Sequence, residues 1–246
     1  ELPASKLNPI YTDPNHEYND NLVEARPTKY SYQIHIVYDK KNEDGTPDVA
    51  WNTAAANENF RKALYYGLDA TNYLARTNDI NPLSCQNFCY TANAVAVNSA
   101  GVDYTQLVRD EIGLQYATDK FARYDADKAA QYKAAAIEEL TALGVTFPVK
   151  MTYYIAGNNQ TALDTATVLK NVIAKNLGDD YIELEIKSYV SSLSKEVRDP
   201  KLMSLQSNGW GADYGDPQNF LGQETYGEDP YLTARLGVAF TKGLQG

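Results

Sequence analysis

The sequence predicts an α/β fold with a mixed sheet flanked by helices. Two observations carry that prediction. From Asp125 onward the patterns alternate helix, strand, helix, strand, helix, strand, an order that builds a sheet with helices packed on it. The long helical stretches also bring their own boundaries: Asp125 opens one, Gly144 closes it, and Gly178 closes the next.

The opening residues read as loop, because Pro3, Pro9, Pro14 and Pro27 stand among Asn and Asp with no helical period. Lys29–Asp39 alternates, with Tyr30, Tyr32, Ile34, Ile36 and Tyr38 on one face, and reads as a strand. Lys40–Asp48 is a polar turn. Asn57–Leu68 places Phe60, Ala63, Leu64, Gly67 and Leu68 at helical spacing, and a second short helix begins near Thr71. Residues 78–94 read as loop. Asp125–Gly144 is a helix with an alanine-rich middle. Val149–Ile155 is a strand. The next helix has one stripe of Ala162, Ala166, Leu169, Val172, Ile173 and Leu177. Tyr181–Val190 turns Ile182, Leu184 and Ile186 inward and Glu183, Glu185 and Lys187 outward, a strand. Ser191–Pro200 reads as a short helix, and Leu202–Trp210 as a buried strand.

The 246 residues suffice for one large domain or two small ones, and 43% hydrophobic content fits a folded chain. A net charge of -10 repels phosphate backbones and argues against a nucleic-acid partner. No apolar run is long enough to span a bilayer, and the first twenty residues lack the basic and apolar regions of a signal peptide. Twenty tyrosines against six phenylalanines favour wet, adaptable binding surfaces, or reflect a habit of the lineage. Cys85 and Cys89 have neither a second cysteine pair nor a nearby histidine, since only His16 and His35 exist. No metal site is expected; ordinary thiols are favoured over a short-loop disulfide.

The stretch richest in chemistry is SNGWGADYGDPQNFL, Ser207–Leu221. Gly209 and Gly211 flank Trp210 and are read as freeing the backbone for a tight turn that projects the indole. Asp213, close to aromatic rings, suits an ammonium group: the carboxylate pairs with it and ring faces attract it. Asp216 and Pro217 can open a short helix. The alternative is purely structural, with Asp213 and Asp216 capping turns and Trp210 in the core. A hydrolase using Asp213 and Asp216 as an acid–base pair is a minor alternative. It has no nucleophile elbow, neighbouring histidine or metal set to support it, so the chain is not expected to be an enzyme.

NGWGADYGDPQNFL resembles the signature of bacterial extracytoplasmic oligopeptide-binding proteins, the solute-binding subunits of peptide ABC transporters. The helix ENFRKALYYGLDA resembles a second landmark of that family, with Gly67 where an alanine would stand. AAAIEELTALGVTFPVKMTYY, a helix and KNLGDDYIELEI resemble the third. All three occur in the family's order over roughly residues 30–225. The finer texture, in NPLSCQNFCYTANA and SKEVRDPKLMSLQ, is most similar to streptococcal peptide-binding lipoproteins. The resemblance implies a type II periplasmic-binding-protein-like fold, of which this chain would be the distal lobe. Residues 1–28 would be an irregular hinge-proximal segment, 29–225 the peptide-binding lobe and 226–246 a poorly matching tail.

It further implies that Asp213 binds the α-amino group of a peptide and that Trp210 lines the adjoining wall. Asn208 and Tyr214 flank these two, and Gly209 and Gly211 offer backbone groups to an extended peptide. Arg198 would serve the peptide or its pocket. Ser207 departs from relatives that carry arginine there, so no carboxylate anchor is implied at that position. No cofactor is implied. The implied partners are oligopeptides, the remaining lobe of the receptor and a membrane permease. The implied location is the outer face of a Gram-positive cell membrane, with a lipid anchor in the full-length protein. A surface peptide sensor or adhesin would share the same chemistry.

Overall fold

The computed structural model describes residues 4–23, 28–86, 89–111 and 123–221. Pro27 and the tail at 226–246 lie outside them. The described helices are α1 (Ala4–Thr12), α2 (Val49–Ala56), α3 (Glu58–Gly67), α4 (Thr71–Leu74), α5 (Tyr104–Glu111), α6 (Ala126–Ala142), α7 (Gln160–Leu177) and α8 (Gln218–Leu221). The strands are β1 (Tyr30–Ile36), β2 (Val149–Ala156), β3 (Ile182–Tyr189) and β4 (Leu205–Gly211). Among the described residues no helix is long and apolar enough to cross a membrane.

The chain divides into two compact units. A sheet unit comprises the described residues of Ile34–Cys85 and Asp119–Ser207; a loop unit comprises those of Glu1–Gln33, Gln86–Thr118 and Asn208–Gly246. β1 and β4 contribute residues to both. The strand order is β1-β4-β2-β3. β2 and β3 are parallel from Val149↔Ile182 to Ala156↔Tyr189, and β4 is parallel to β2 at Tyr153↔Leu205. The Val37 N–H donates to the Ser204 carbonyl and the Ala212 N–H to the Lys29 carbonyl. The two contacts run in opposite senses along the chain, so β1 is antiparallel to β4 and the sheet is mixed, as expected.

The sheet unit encloses one core. Met151, Leu184 and Ile182 of the strands meet Leu169, Ile173 and Leu177 of α7, the predicted stripe of that helix. Ala136 and Leu140 of α6 and Phe60 and Ala63 of α3 join the same core. Small residues let α3 and α6 approach closely. At Gly67 a Cβ would come within 2.6 Å of the Leu177 side chain, which accounts for glycine at the position where the resemblance expects alanine. Asp125 and Asn159 cap α6 and α7 by accepting the Lys128 and Ala162 N–H groups at 2.9 and 3.0 Å. Gly144 and Gly178 follow the two helices at φ of 82° and 88°, values that favour glycine.

Tyr181, fully buried, stacks on Phe147 with ring centroids 5.5 Å apart. Its hydroxyl is buried without a hydrogen-bond partner among the described residues, and burial pushes its pKa up. Tyr181→Phe keeps the ring and deletes the orphaned oxygen. It is expected to raise stability by about 1 kcal/mol, the low end of the cost of an unpaired buried polar group. A lower urea midpoint in the variant would overturn that.

One helix departs from the sequence expectation of a loop, and two more fall in stretches for which the sequence reading names no element. α1 spans the proline-bearing opening with Pro9 inside it. α2 follows the polar turn: Asp48 accepts the Trp51 N–H at 3.0 Å, and Trp51, Ala54 and Ala55 are buried. Its apolar residues are not confined to one stripe, so helical periodicity does not reveal it. α5 lies beyond the stretch at 78–94. The short helix expected at Ser191–Pro200 is a single π-helical turn, Ser194–Arg198.

Candidate functional site

Six of the seven predicted site residues lie in one run of the loop unit, Asn208 to Tyr214. The seventh, Arg198, belongs to the sheet unit. β4 meets the strand expected over Leu202–Trp210, though of its residues only Leu205 is buried, and it runs on through Gly211 in place of the tight turn read at the two glycines. Neither Gly209 nor Gly211 has a positive φ. Both are needed for a different reason. Tyr30 and Tyr32 of β1, 50% and 72% exposed, stack at 6.2 Å and lie against β4. A Cβ at Gly209 would stand 2.6 Å from the Tyr32 ring, and one at Gly211 would collide with the Tyr30 ring. The glycines therefore make room for two tyrosines on the strand.

Past β4 the chain is fixed by one buried side chain. Asn219, in α8, is 1% exposed. Its Oδ1 accepts from Trp210 Nε1 at 3.0 Å and from the Asp213 N–H at 3.2 Å. Trp210 also packs against Ala92, Ala212 and Phe220. The packing part of the structural alternative is thus met, because the indole is partly a packing element. Asp213 is exposed, and its carboxylate makes no hydrogen bond or ion pair among the described residues. Tyr214 is 59% exposed.

In the sheet unit a pocket of about 200 Å³ opens at the carboxyl ends of β2 and β3. Its origin is topological. The chain leaves β2 for β3 on one side and returns from β3 to β4 on the other. Crevices at such reversals are where open α/β sheets bind ligands. β4 pairs with β2 only at Tyr153↔Leu205, then the strands part, and Tyr153–Ala156 and Leu205–Ser207 form two of the pocket's walls. Burial, then neighbouring Tyr73, push the Tyr153 hydroxyl up to about 12, opposed by its hydrogen bond with Ser207. Arg198 turns Nε and Nη2 onto the Gln206 amide oxygen at 3.2 and 3.1 Å in the amide orientation that satisfies both groups.

The loop after β3 closes on Glu196. The N–H groups of Val190, Ser191 and Ser192 donate to its carboxylate at 2.8, 2.7 and 2.7 Å, and Ser191 Oγ donates at 2.8 Å. These backbone donors hold its pKa at about 2 against an ordinary 4.5. A depressed carboxylate contributes stability that is complete above about pH 4.5 and lost as pH falls towards 2. Glu196→Gln should therefore lower the melting temperature at pH 7, with the gap narrowing below pH 4.5. A gap that stays constant down to pH 2.5 would contradict this.

Sequence reasoning missed Asn219, Gln206, Tyr73 and Tyr153. Alternation in β1 did put Tyr30 and Tyr32 on one face, but gave no sign that the rings cover two glycines. Nothing in the bare order of residues singles out Asn219.

The family model of bacterial extracellular solute-binding proteins, family 5 Middle, matches residues 1–230. The chain belongs to that family. Among the family-5 relatives it resembles is the oligopeptide-binding protein AliB of Streptococcus pneumoniae, 24% identical over 227 residues, 83% of this chain and 34% of AliB. The substrate-binding domain of an oligopeptide ABC transporter from Bacillus anthracis superposes with a TM-score of 0.58 at 18% identity, over 85% of this chain and 34% of that one. The family-5 chain thus has the type II periplasmic-binding-protein-like fold that the three motifs implied, and spans about a third of the length of the curated relatives it matches. A likeness of another kind is short: 64% identity over 33 residues to a xylan 1,4-beta-xylosidase of Xylanibacter ruminicola, 13% of this chain and 4% of that enzyme.

Proposed function

We propose that this chain is the peptide-binding lobe of the solute-binding receptor of a peptide ABC transporter, and that it binds rather than converts its ligand. The observation that carries the reading is Asp213. Its backbone is held by Asn219, while its carboxylate is exposed and unpaired among the described residues. A free carboxylate on a fixed backbone is suited to one charge-assisted contact with the α-amino group of a peptide. β4 supports the rest. On the side away from β1, no described strand pairs with Asn208–Gly211, so an extended peptide can add there by main-chain hydrogen bonds. Trp210 and Tyr214 flank the amine, and Arg198 serves the sheet-unit pocket through Gln206. Main-chain recognition plus one terminal charge accepts many sequences, because those groups are common to all peptides.

In this reading the partners are oligopeptides, the other lobe of the receptor and the membrane permease. The place of action is the outer face of the cell membrane, where a lipid anchor elsewhere in the receptor would hold it. NMR titration of the chain, whose range reaches millimolar affinities, tests the reading. Extended peptides with a free amino terminus should shift the resonances of Asn208–Tyr214, and acetylated ones should do so only at much higher concentration. Absence of any peptide-induced shift would overturn it.

A further inference from the structure

The pocket at the fork of β2 and β4 has an unusual lining. Among the described residues, twelve face it and none is acidic or basic, although charged residues make up 22% of the chain. Tyr153, Tyr154, Tyr189 and Leu193 supply aromatic and aliphatic surface, and Gln206 and Ser207 supply neutral polar groups. The charged groups that act on the lining Tyr154 are themselves paired, Lys187 with Glu43 at 2.9 Å and Glu185 with Lys150 at 3.5 Å. α7 reaches the pocket at its N-terminal end, but Asn159 accepts the Ala162 N–H through its side chain at 3.0 Å and the Leu163 N–H through its carbonyl at 3.1 Å. The Arg198 guanidinium is turned onto the Gln206 amide. The Tyr153 hydroxyl stays protonated at neutral pH and remains a donor. The volume is about 200 Å³. That is room for one side chain rather than a length of backbone.

We propose that this pocket receives one side chain of a bound peptide and selects uncharged ones: aromatic or aliphatic, with at most a neutral polar tip. The proposal rests on the peptide-binding reading above. A carboxylate or ammonium entering the pocket loses water and meets no opposite charge among the described lining residues. A tyrosine or leucine gains ring and aliphatic contact, and a phenolic or amide tip can bond to Ser207 or Gln206. Selection here acts by exclusion of charge, not by a dedicated partner for any one residue.

The test walks Tyr, Gln, Glu or Lys through each position of an alanine pentapeptide with a free amino terminus, titrated against the 246-residue chain by NMR. At one position Glu and Lys should weaken binding at least tenfold relative to Tyr and Gln. Ser207→Lys, a change at an exposed residue, should recover at least fivefold of the Glu loss at that position and none of the Lys loss. Leu193→Lys, on a different element, should act in the same direction. Equal tolerance of Glu at every position would overturn the proposal and leave the peptide-binding reading intact. So would a Glu penalty that neither lysine variant moves while Tyr peptides still bind. No binding by any of the peptides would remove the reading itself, and the proposal with it.

Discussion

Phe60→Ala should lower the stability of the chain by about 3–5 kcal/mol, the range of a large-to-small change at a buried aromatic. Phe60 is fully buried and joins two parts of the sheet unit. Its ring meets Trp51 edge-on at 6.1 Å and Tyr181 at 5.6 Å. The alanine variant loses these pairs, each worth about 0.5–1.5 kcal/mol beyond area, and leaves a cavity. The cavity has little scope to collapse. Trp51 is tied by Nε1 to the Val37 carbonyl at 2.7 Å, and Asn57 holds the start of α3 by accepting the Phe60 N–H at 2.8 Å. Urea unfolding with an unchanged slope measures the loss. Tyr32→Ala, at a ring 72% exposed, serves as the contrast and should cost no more than about 1.5 kcal/mol, the worth of its stack on Tyr30. A Phe60→Ala loss below 1.5 kcal/mol would mean that this aromatic cluster does not organise the core.

The sheet unit was legible because its helices and strands state their own limits. Asp125, Gly144 and Gly178 mark helix ends, and the stripe ending at Leu177 and the alternation of Ile182, Leu184 and Ile186 separate buried from exposed faces. α2 was not legible, since its apolar residues are not confined to one face. The signal that could have found it was Asp48 as a cap, together with Asn57, which ends α2 and starts α3. At the site, local chemistry identified the run Asn208–Tyr214 but misjudged how it works. Gly209 and Gly211 were read through backbone freedom, whereas what they supply is the absence of a side chain under Tyr32 and Tyr30. That depends on the register between β1 and β4, a tertiary fact. The same holds for the pocket, which exists because β4 returns beside β2, and for Asn219, whose role appears only once Trp210 and Asp213 converge on it.

The second large effect is expected at Asp213. Asp213→Asn keeps the shape and removes the charge, so peptide binding should weaken by about 1.5–3 kcal/mol, the scale of a hydrogen bond to a charged group. Folding stability should change by less than about 0.5 kcal/mol, because the carboxylate caps nothing among the described residues. A turn-capping role predicts the reverse: lower stability and no preference for a free amine. A neutral peptide backbone cannot set its own register on β4, and one fixed charge can, so the loss should appear whatever side chains the peptide carries.

A double cycle tests this most directly. Wild type and Asp213→Asn are each titrated with the free and the N-acetylated form of one peptide. Each single change should weaken binding roughly 10- to 150-fold, and the two together should weaken it no further, because they delete the same contact. Fully additive losses, or a wild type indifferent to acetylation, would contradict the account and remove Asp213 from the site.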